Sequence, residues 1–407
     1  MLGPQRSARY SQVLELLAHK LIRAEAQIGI EFPYITNDRG RWLTMPASLS
    51  AGYQDDKWSH GNWFGGFWIG LLLAAHIDSG DERFLHWATE RMKLIAPRCD
   101  DCNTHDIGFI FQSSAIPLYH VTGHTYYRDI AVRAAQRLRA RLITTRGGAY
   151  LSSWGPLTDM RGRRSSAIDT MANLALLYWA AQEAGDGSFR WAAQAHADTT
   201  AAAMIREDDS TYHAVEYDLI SGERARGFTF QGFSDESCWP RGQAWAMCGY
   251  GLSALASGKQ NYWDTAQRLS DYFVQRTGQG RIPPWDFDAP DTPDRPQDSS
   301  AAAIAAAAMI DMSQIEPGSE AGRCWLDTAL LTLDQLCASY VSWDSHRQGL
   351  LEHGVYSMPH RTGMDCSVMF GDYYFAYSLM KVLHPGKFWP ELDSSVAPRS
   401  RNAQTRE

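Results

Sequence analysis

The sequence predicts an all-α chain folded as an (α/α)6 barrel, a toroid of six inner and six outer helices with long loops at its mouth. Three observations predict it. Between Asn62 and Phe370 one unit recurs five times: an apolar helix, a Gly-centred turn, an aromatic or bulky anchor, and a second helix. The turns fall at Gly80, Gly123, Gly185, Gly258 and Gly318, and the openings behind them are alike: DERFLHWA, HTYYRDIA, DGSFRWAA, QNYWDTA and GRCWLDTA. First members of each pair are apolar all round, as in GFWIGLLLAAHI and MANLALLYWAA, and such helices must be enclosed on every side. Their partners, such as TYYRDIAVRAAQRLRARL, carry Arg, Gln and Asp on one face and can meet water.

Each element follows from its own residues. An opening outer helix over 8–27 is marked by Val13, Leu16, Leu17 and Leu21 near helical spacing. Inner and outer members then alternate over 66–78 and 82–96, 110–121 and 126–143, 169–184 and 188–205, 241–256 and 261–276, and 299–313 and 321–341, and an inner helix over 371–384 closes the ring. Pro240 stands where a helix start tolerates a missing N–H. The alanine run 301–308 suits inner helices that approach closely, and equally a low-complexity helix with no special role. Longer connections over 144–168, 206–240, 278–298 and 342–371 all precede inner helices, which puts them at one end; the second contains a short hairpin around Ile220–Glu223. Long loops in a compact domain are usually functional. No linker-like composition divides residues 1–407, so one domain is expected, with 394–407 a frayed polar tail.

Composition narrows the function. Across 407 residues the apolar content of 44% and aromatic content of 12% supply a packed core, which argues against disorder. The fifteen Trp serve either helix packing or stacking on sugar faces. A net charge of −8 argues against a nucleic-acid binder and obliges an anionic substrate to find a local positive pocket. Seven irregularly spaced Cys make no disulfide framework, and Cys99 with Cys102 and His105 does not fill a tetrahedral zinc shell, so no metal and no cofactor are expected. The first residues have no apolar core of leader length and no segment has transmembrane length, which leads to the expectation of a cytoplasmic protein without a membrane partner.

Two carboxylates stand out, Asp106 in THDIGF and Asp169 in SAIDTMANL, each at the opening of an inner helix. An N-cap is the commonest role for an Asp there. Adjacent inner helices also bring the two together in the mouth, where paired carboxylates resist double ionisation and one keeps its proton. Asp169, beside Ile168 and Met171, has the more apolar neighbours and is the candidate general acid. Arg241 opens another inner helix; either it pairs with a carboxylate such as Asp235 or Glu236, or it clamps a substrate carboxylate. His213 in a long mouth loop and His105 beside Asp106 are candidate binding residues, and Trp63 in NWFGGFW is a candidate sugar platform. There is no GxSxG elbow, phosphate loop, dinucleotide fingerprint or HExxH, which leaves acid–base chemistry on a carbohydrate.

HDIGF, SAIDTMANLALLYWAA, YHAVEYD, TFQGFSDESCWPRGQAWA, PPWDFDAPDTPDRPQDSSAAAIAA and FGDYYFAYSL, in that order, resemble the unsaturated glucuronyl hydrolase family over most of the chain. The resemblance implies an (α/α)6 barrel and a substrate oligosaccharide ended by a 4-deoxy-4,5-unsaturated uronic acid, as lyases leave on glycosaminoglycans. It implies hydration of the C4=C5 vinyl ether, with Asp169 as catalytic acid and Asp106 as the second aspartate. It further implies substrate contacts at His105, Phe109, His213, Gln231, Arg241 and Trp245, with Arg241 near the uronate carboxylate. In HGVYSMPHRTG the family tends to read sulfate; Ser357, His360 and Arg361 stand there without a clear sulfate signature. Cys366 and Pro240 depart from the family pattern. A related rhamnogalacturonyl hydrolase, an inverting glycosidase using the same carboxylates, and a non-catalytic sugar-binding barrel are the alternatives; a monomer or homodimer is expected.

Overall fold

A computed structural model describes residues 2–47 and 62–390; the expected frayed tail lies outside them. In chain order the elements are α1 (Pro4–Glu25), the hairpin β1 (Phe32–Thr36) and β2 (Trp42–Met45), α2 (Gly65–Ser79), α3 (Glu82–Ile95), α4 (Ile107–Gln112), α5 (Ala115–Thr122) and α6 (Thr125–Arg139). Then come β3 (Leu142–Thr144), β4 (Ala149–Leu151), α7 (Met160–Arg164), β5 (Ser165–Ala167), α8 (Thr170–Ala184), α9 (Gly187–Met204), β6 (Ala214–Tyr217) and β7 (Arg224–Phe228). The chain continues with α10 (Pro240–Ser257), α11 (Gln260–Thr277), α12 (Ser299–Ile315), α13 (Glu320–Ser339), β8 (Gly354–Ser357), β9 (Thr362–Cys366) and α14 (Met369–Leu383).

The inner ring closes on itself: α2 packs on α4, α4 on α8, α8 on α10, α10 on α12, α12 on α14, and α14 back on α2. Outside it α3, α6, α9, α11 and α13 each cover their inner partner, and α1 packs over the seam against α2, α13 and α14. Among the described residues this makes six inner and six outer positions, with α4 and α5 sharing one.

The repeated turn has a local cause. Gly80, Gly123, Gly185 and Gly258 end inner helices in the left-handed conformation that glycine adopts without penalty. After three of them the next residue caps the outer helix, Asp81 accepting from the Arg83 N–H, His124 from Tyr126 and Asp186 from Ser188. Burial does the rest, since α8 and α12 are enclosed along nearly their whole length.

Two expected helices differ. The one expected over 110–121 breaks at Ser113 and Ser114, because Pro117 has no N–H for the Ser113 carbonyl and its ring crowds it. The one expected to reach 143 stops at Arg139, and Leu142–Thr144 pairs with Ala149–Leu151 as a ladder. The expected hairpin is present: β6 pairs antiparallel with β7 and, on its other side, with β5. The hairpins β1–β2 and β8–β9 were not anticipated.

Candidate active site

Inner helices α2, α4 and α8 begin at one end, and the hairpins rise around that end as walls. Between them opens a cleft of about 830 Å³ whose lining includes Trp63, His105, Asp106, Asp169, Gln231, Ser357 and His360. Tyr34, Phe64, Trp154, Phe228, Phe230 and Tyr356 supply aromatic walls. A second, more enclosed cavity of about 120 Å³ lies toward the other end of the barrel, beside Cys248, Leu252 and Lys381, and touches neither carboxylate.

Asp106 and Asp169 both occupy N-cap positions, and neither side chain caps its helix. Asp298, at the equivalent place on α12, does cap, accepting from the Ser300 N–H. The two cleft carboxylates are therefore free of the structural duty that most often explains an Asp there. Asp106 accepts from the Thr104 hydroxyl at 2.9 Å on Oδ2 and faces His105 Nε2 at 3.1 Å through Oδ1. Asp169 is half-buried, and its Oδ1 finds no hydrogen-bond partner among the described residues. Burial pushes its carboxyl up to about 6; positive charge on His105 pulls the other way, Asp106 adds to the rise, and Arg241 opposes it.

Arg241 is 2% exposed and pairs with Asp298, not with Asp235 or Glu236. Its Nη1 donates to Asp298 Oδ2 at 2.7 Å and to the Val355 carbonyl at 2.5 Å, and Nη2 donates to the Tyr356 carbonyl at 2.6 Å. The guanidinium also lies over the Trp239 and Phe370 rings at 4.4 and 4.8 Å. A cation so enclosed lies outside the cleft lining and anchors β8 from below. Sequence reasoning missed this because the partner carboxylate lies 57 residues away along the chain.

Three further expected contact residues lie under the cleft floor. Phe109 and Trp245 are buried with ring centroids 4.8 Å apart, and Phe109 lies 5.5 Å from Trp63. His213 is buried between Phe230 and Trp239, with Nδ1 2.8 Å from the Thr229 hydroxyl; burial holds its protonation far below the usual range. Gln231 donates to the Tyr356 carbonyl at 2.9 Å while still lining the cleft. Ser357 and His360 pair at 2.8 Å, whereas Arg361, at the hairpin turn with φ of 52°, is exposed and outside the lining. Of the departures, Cys366 is buried at the end of β9 and Pro240 is the first residue of α10. Neither lines the cleft.

Cleft residues the sequence did not single out include Trp154 between β4 and α7, Phe228 at the end of β7, Phe230 just beyond it, and Tyr356 on β8. The alternation of Phe228 and Phe230 in GFTFQGF was the one available signal, since both sit two residues apart at the end of a strand. Trp154 stands edge-on to His105, with centroids 6.4 Å apart, and to Phe230 at 5.4 Å. All seven cysteines are unpaired, Cys99 buried and Cys102 exposed. No described helix is long and apolar enough to cross a membrane.

A ring of paired helices, with two uncapped carboxylates between aromatic walls at its mouth, defines a carbohydrate-cleaving hydrolase of the (α/α)6 class. The unsaturated glucuronyl hydrolase of Bacillus sp. (strain GL1) is 32% identical over 361 residues, 88% of this chain and 92% of that protein. The chain belongs to the unsaturated glucuronyl hydrolase family. The unsaturated chondroitin disaccharide hydrolase of Streptococcus pneumoniae (strain ATCC BAA-255 / R6) is 30% identical over 324 residues, 78% of this chain and 81% of that protein. The crystal structure of the Bacillus sp. GL1 enzyme superposes with a TM-score of 0.86 at 28% identity, covering 94% of this chain and 100% of that one. A scan against protein-family models gives no match.

Proposed function

We propose that the enzyme releases the terminal 4-deoxy-4,5-unsaturated glucuronic acid from lyase-generated glycosaminoglycan oligosaccharides by hydrating the C4=C5 bond, with Asp169 as acid and Asp106 as its partner. The observation that carries the reading is the Asp169 carboxyl: it faces the cleft, caps nothing, lacks a partner on Oδ1, and is pushed up to about 6 by burial. Such a group holds a proton at mildly acidic pH, with Oδ1 unpartnered among the described residues.

Delivered to C4 of a vinyl ether, that proton leaves positive charge shared between C5 and the ring oxygen. The carboxylate left behind then accepts a proton from water as the water adds at C5. The product is a hemiketal, which opens and frees the neighbouring sugar, so the anomeric carbon is never displaced. Asp106, held by Thr104 and His105, contributes negative charge beside the acid and two oxygens for sugar hydroxyls. Trp63 and Trp154 offer flat apolar faces to the rings, and Gln231, Ser357 and His360 the polar contacts. Arg241 contributes through its field and by fixing β8. Seven unpaired cysteines agree with work in the reducing cytoplasm.

The test is the absorbance of the conjugated unsaturated uronate in an unsaturated chondroitin disaccharide. Hydration removes the chromophore as sugar is released. Sugar released with the chromophore intact overturns the reading.

A further inference from the structure

Behind Asp106 lies a chain of buried hydroxyls. Ser153 Oγ accepts the Ala167 N–H at 2.7 Å and lies 3.0 Å from Thr170 Oγ1, which in turn contacts His105 Nδ1. The other imidazole nitrogen, Nε2, faces Asp106 Oδ1 at 3.1 Å. Ser153 holds His105 a second way, since its carbonyl accepts the His105 N–H at 2.7 Å. Ser153 and Thr170 are both 0% exposed, so their hydrogens must go to one another or to the ring.

We propose that Thr170 and Ser153 are positioning residues for the hydration reaction: their hydroxyls run as a directed relay that fixes His105 as the neutral Nε2–H tautomer and thereby aims it at Asp106. The inference rests on the function proposed above.

The direction is set at the Asp106 end: a carboxylate only accepts, so a neutral ring keeps its hydrogen on Nε2, Nδ1 takes one from Thr170, and the Thr170 oxygen is left to accept from Ser153. The ring proton sits on Nε2 and is donated to the carboxylate. Run the other way, a neutral ring sets the Nε2 lone pair against the Asp106 oxygen. Thr170 is also the first residue of α8, directly after Asp169, so the relay ties the second carboxylate to the turn that bears the acid.

The tautomer matters because a second proton on His105 works against the reaction. A cation there stabilises the Asp169 carboxylate and draws down the acid's affinity for its proton. Other groups bear on His105 or the two carboxylates: His213 next to β6 and His196 on α9 on the ring, Arg241 on α10 on Asp169, Tyr356 on β8 on both carboxylates, and Arg141 before β3 on Asp106, which itself bears on Asp169. Arg241 already opposes the raised Asp169, so a charged His105 adds to that opposition.

The experiment compares Thr170→Val, which keeps the shape and deletes the hydroxyl, with Thr170→Ser, which keeps the hydroxyl. Both are assayed across pH on the unsaturated chondroitin disaccharide, with folded fraction set by circular dichroism. Thr170→Val should lose about 10- to 100-fold in kcat with KM within about 2-fold, the scale of a misplaced catalytic group. The limb on which activity falls with rising pH should also move to lower pH. Thr170→Ser should restore both, and Ser153→Ala should move them in the same direction should Thr170→Val fail to fold. Wild-type kcat and an unmoved limb in folded Thr170→Val overturn the relay, as does equal loss in Thr170→Val and Thr170→Ser. A wild-type enzyme that leaves the chromophore untouched overturns the function itself instead.

Discussion

Asp169 lies at the N-terminus of α8, where the helix field favours an anion, yet burial wins and pushes the carboxyl up to about 6. Since the acid form is the working form, kcat/KM should fall about tenfold per pH unit once pH passes well above that value. Asp169→Asn should lose about 1000-fold or more in kcat while still binding the disaccharide, because the shape stays and only the titrating proton goes. Stability should move the other way. A carboxyl raised in the folded state contributes stability that is present at low pH and lost as pH rises through about 6. Asp169→Asn is therefore expected to unfold at a higher temperature than the wild type near pH 8, with the gap closing below pH about 4. Wild-type turnover in the variant, or a gap that widens toward acid, defeats the assignment. The type of residue and its place at a helix start were legible in the sequence. Its freedom from capping was not, because an Asp precedes each helix in the sequence, whereas Asp169 takes a helical backbone at the N-cap and Asp298 the extended one from which a side chain reaches the Ser300 N–H.

Between elements, the buried pair of Arg241 on α10 and Asp298 before α12 joins two inner helices to β8. Asp298 accepts from the Val355 N–H as well as from Arg241, so the hairpin is held by both members. Removing one partner leaves the other buried and uncompensated, which costs about 3–5 kcal/mol. Arg241→Met and Asp298→Asn are each expected in that range by denaturant unfolding. The double variant should cost at least about 1 kcal/mol less than their sum. Because β8 carries Tyr356 and Ser357 into the cleft, KM should rise in both single variants. Strictly additive stabilities with an unchanged KM would show that the pair does not hold the wall. Sequence periodicity finds helices of 14 to 22 residues readily, as α3 and α1 show. It has little purchase on β-strands of three to five residues such as β4 and β7. The mouth is built of such strands, so the cleft's aromatic walls stayed hidden while its helix-borne carboxylates did not.

At the scale of the molecule, the ring closes only if inner helices approach along their small residues, and the alanine-rich α12 is the visible signature of that demand. One approach bears directly on the acid. A Cβ on Gly249 of α10 would stand 2.4 Å from Met171 Cβ, 2.5 Å from its carbonyl oxygen and 2.6 Å from its carbonyl carbon. Met171 is the second residue of α8 and follows Asp169 by two positions, so its backbone cannot yield without turning the acid. Two residues on, a Cβ at Gly251 would meet only the Met312 Cγ, at 3.2 Å, a flexible side chain that can move aside. The two substitutions therefore separate packing from helix propensity. Gly251→Ala should be neutral or stabilising by up to about 1 kcal/mol, since alanine loses less entropy in a helix. Gly249→Ala gains the same propensity but should cost about 1–3 kcal/mol net from overpacking, and its kcat should fall with the shift of α8. Equal stability and equal kcat in the two variants would mean that α8 and α10 tolerate a wider spacing, and that the position of Asp169 is not set by ring closure.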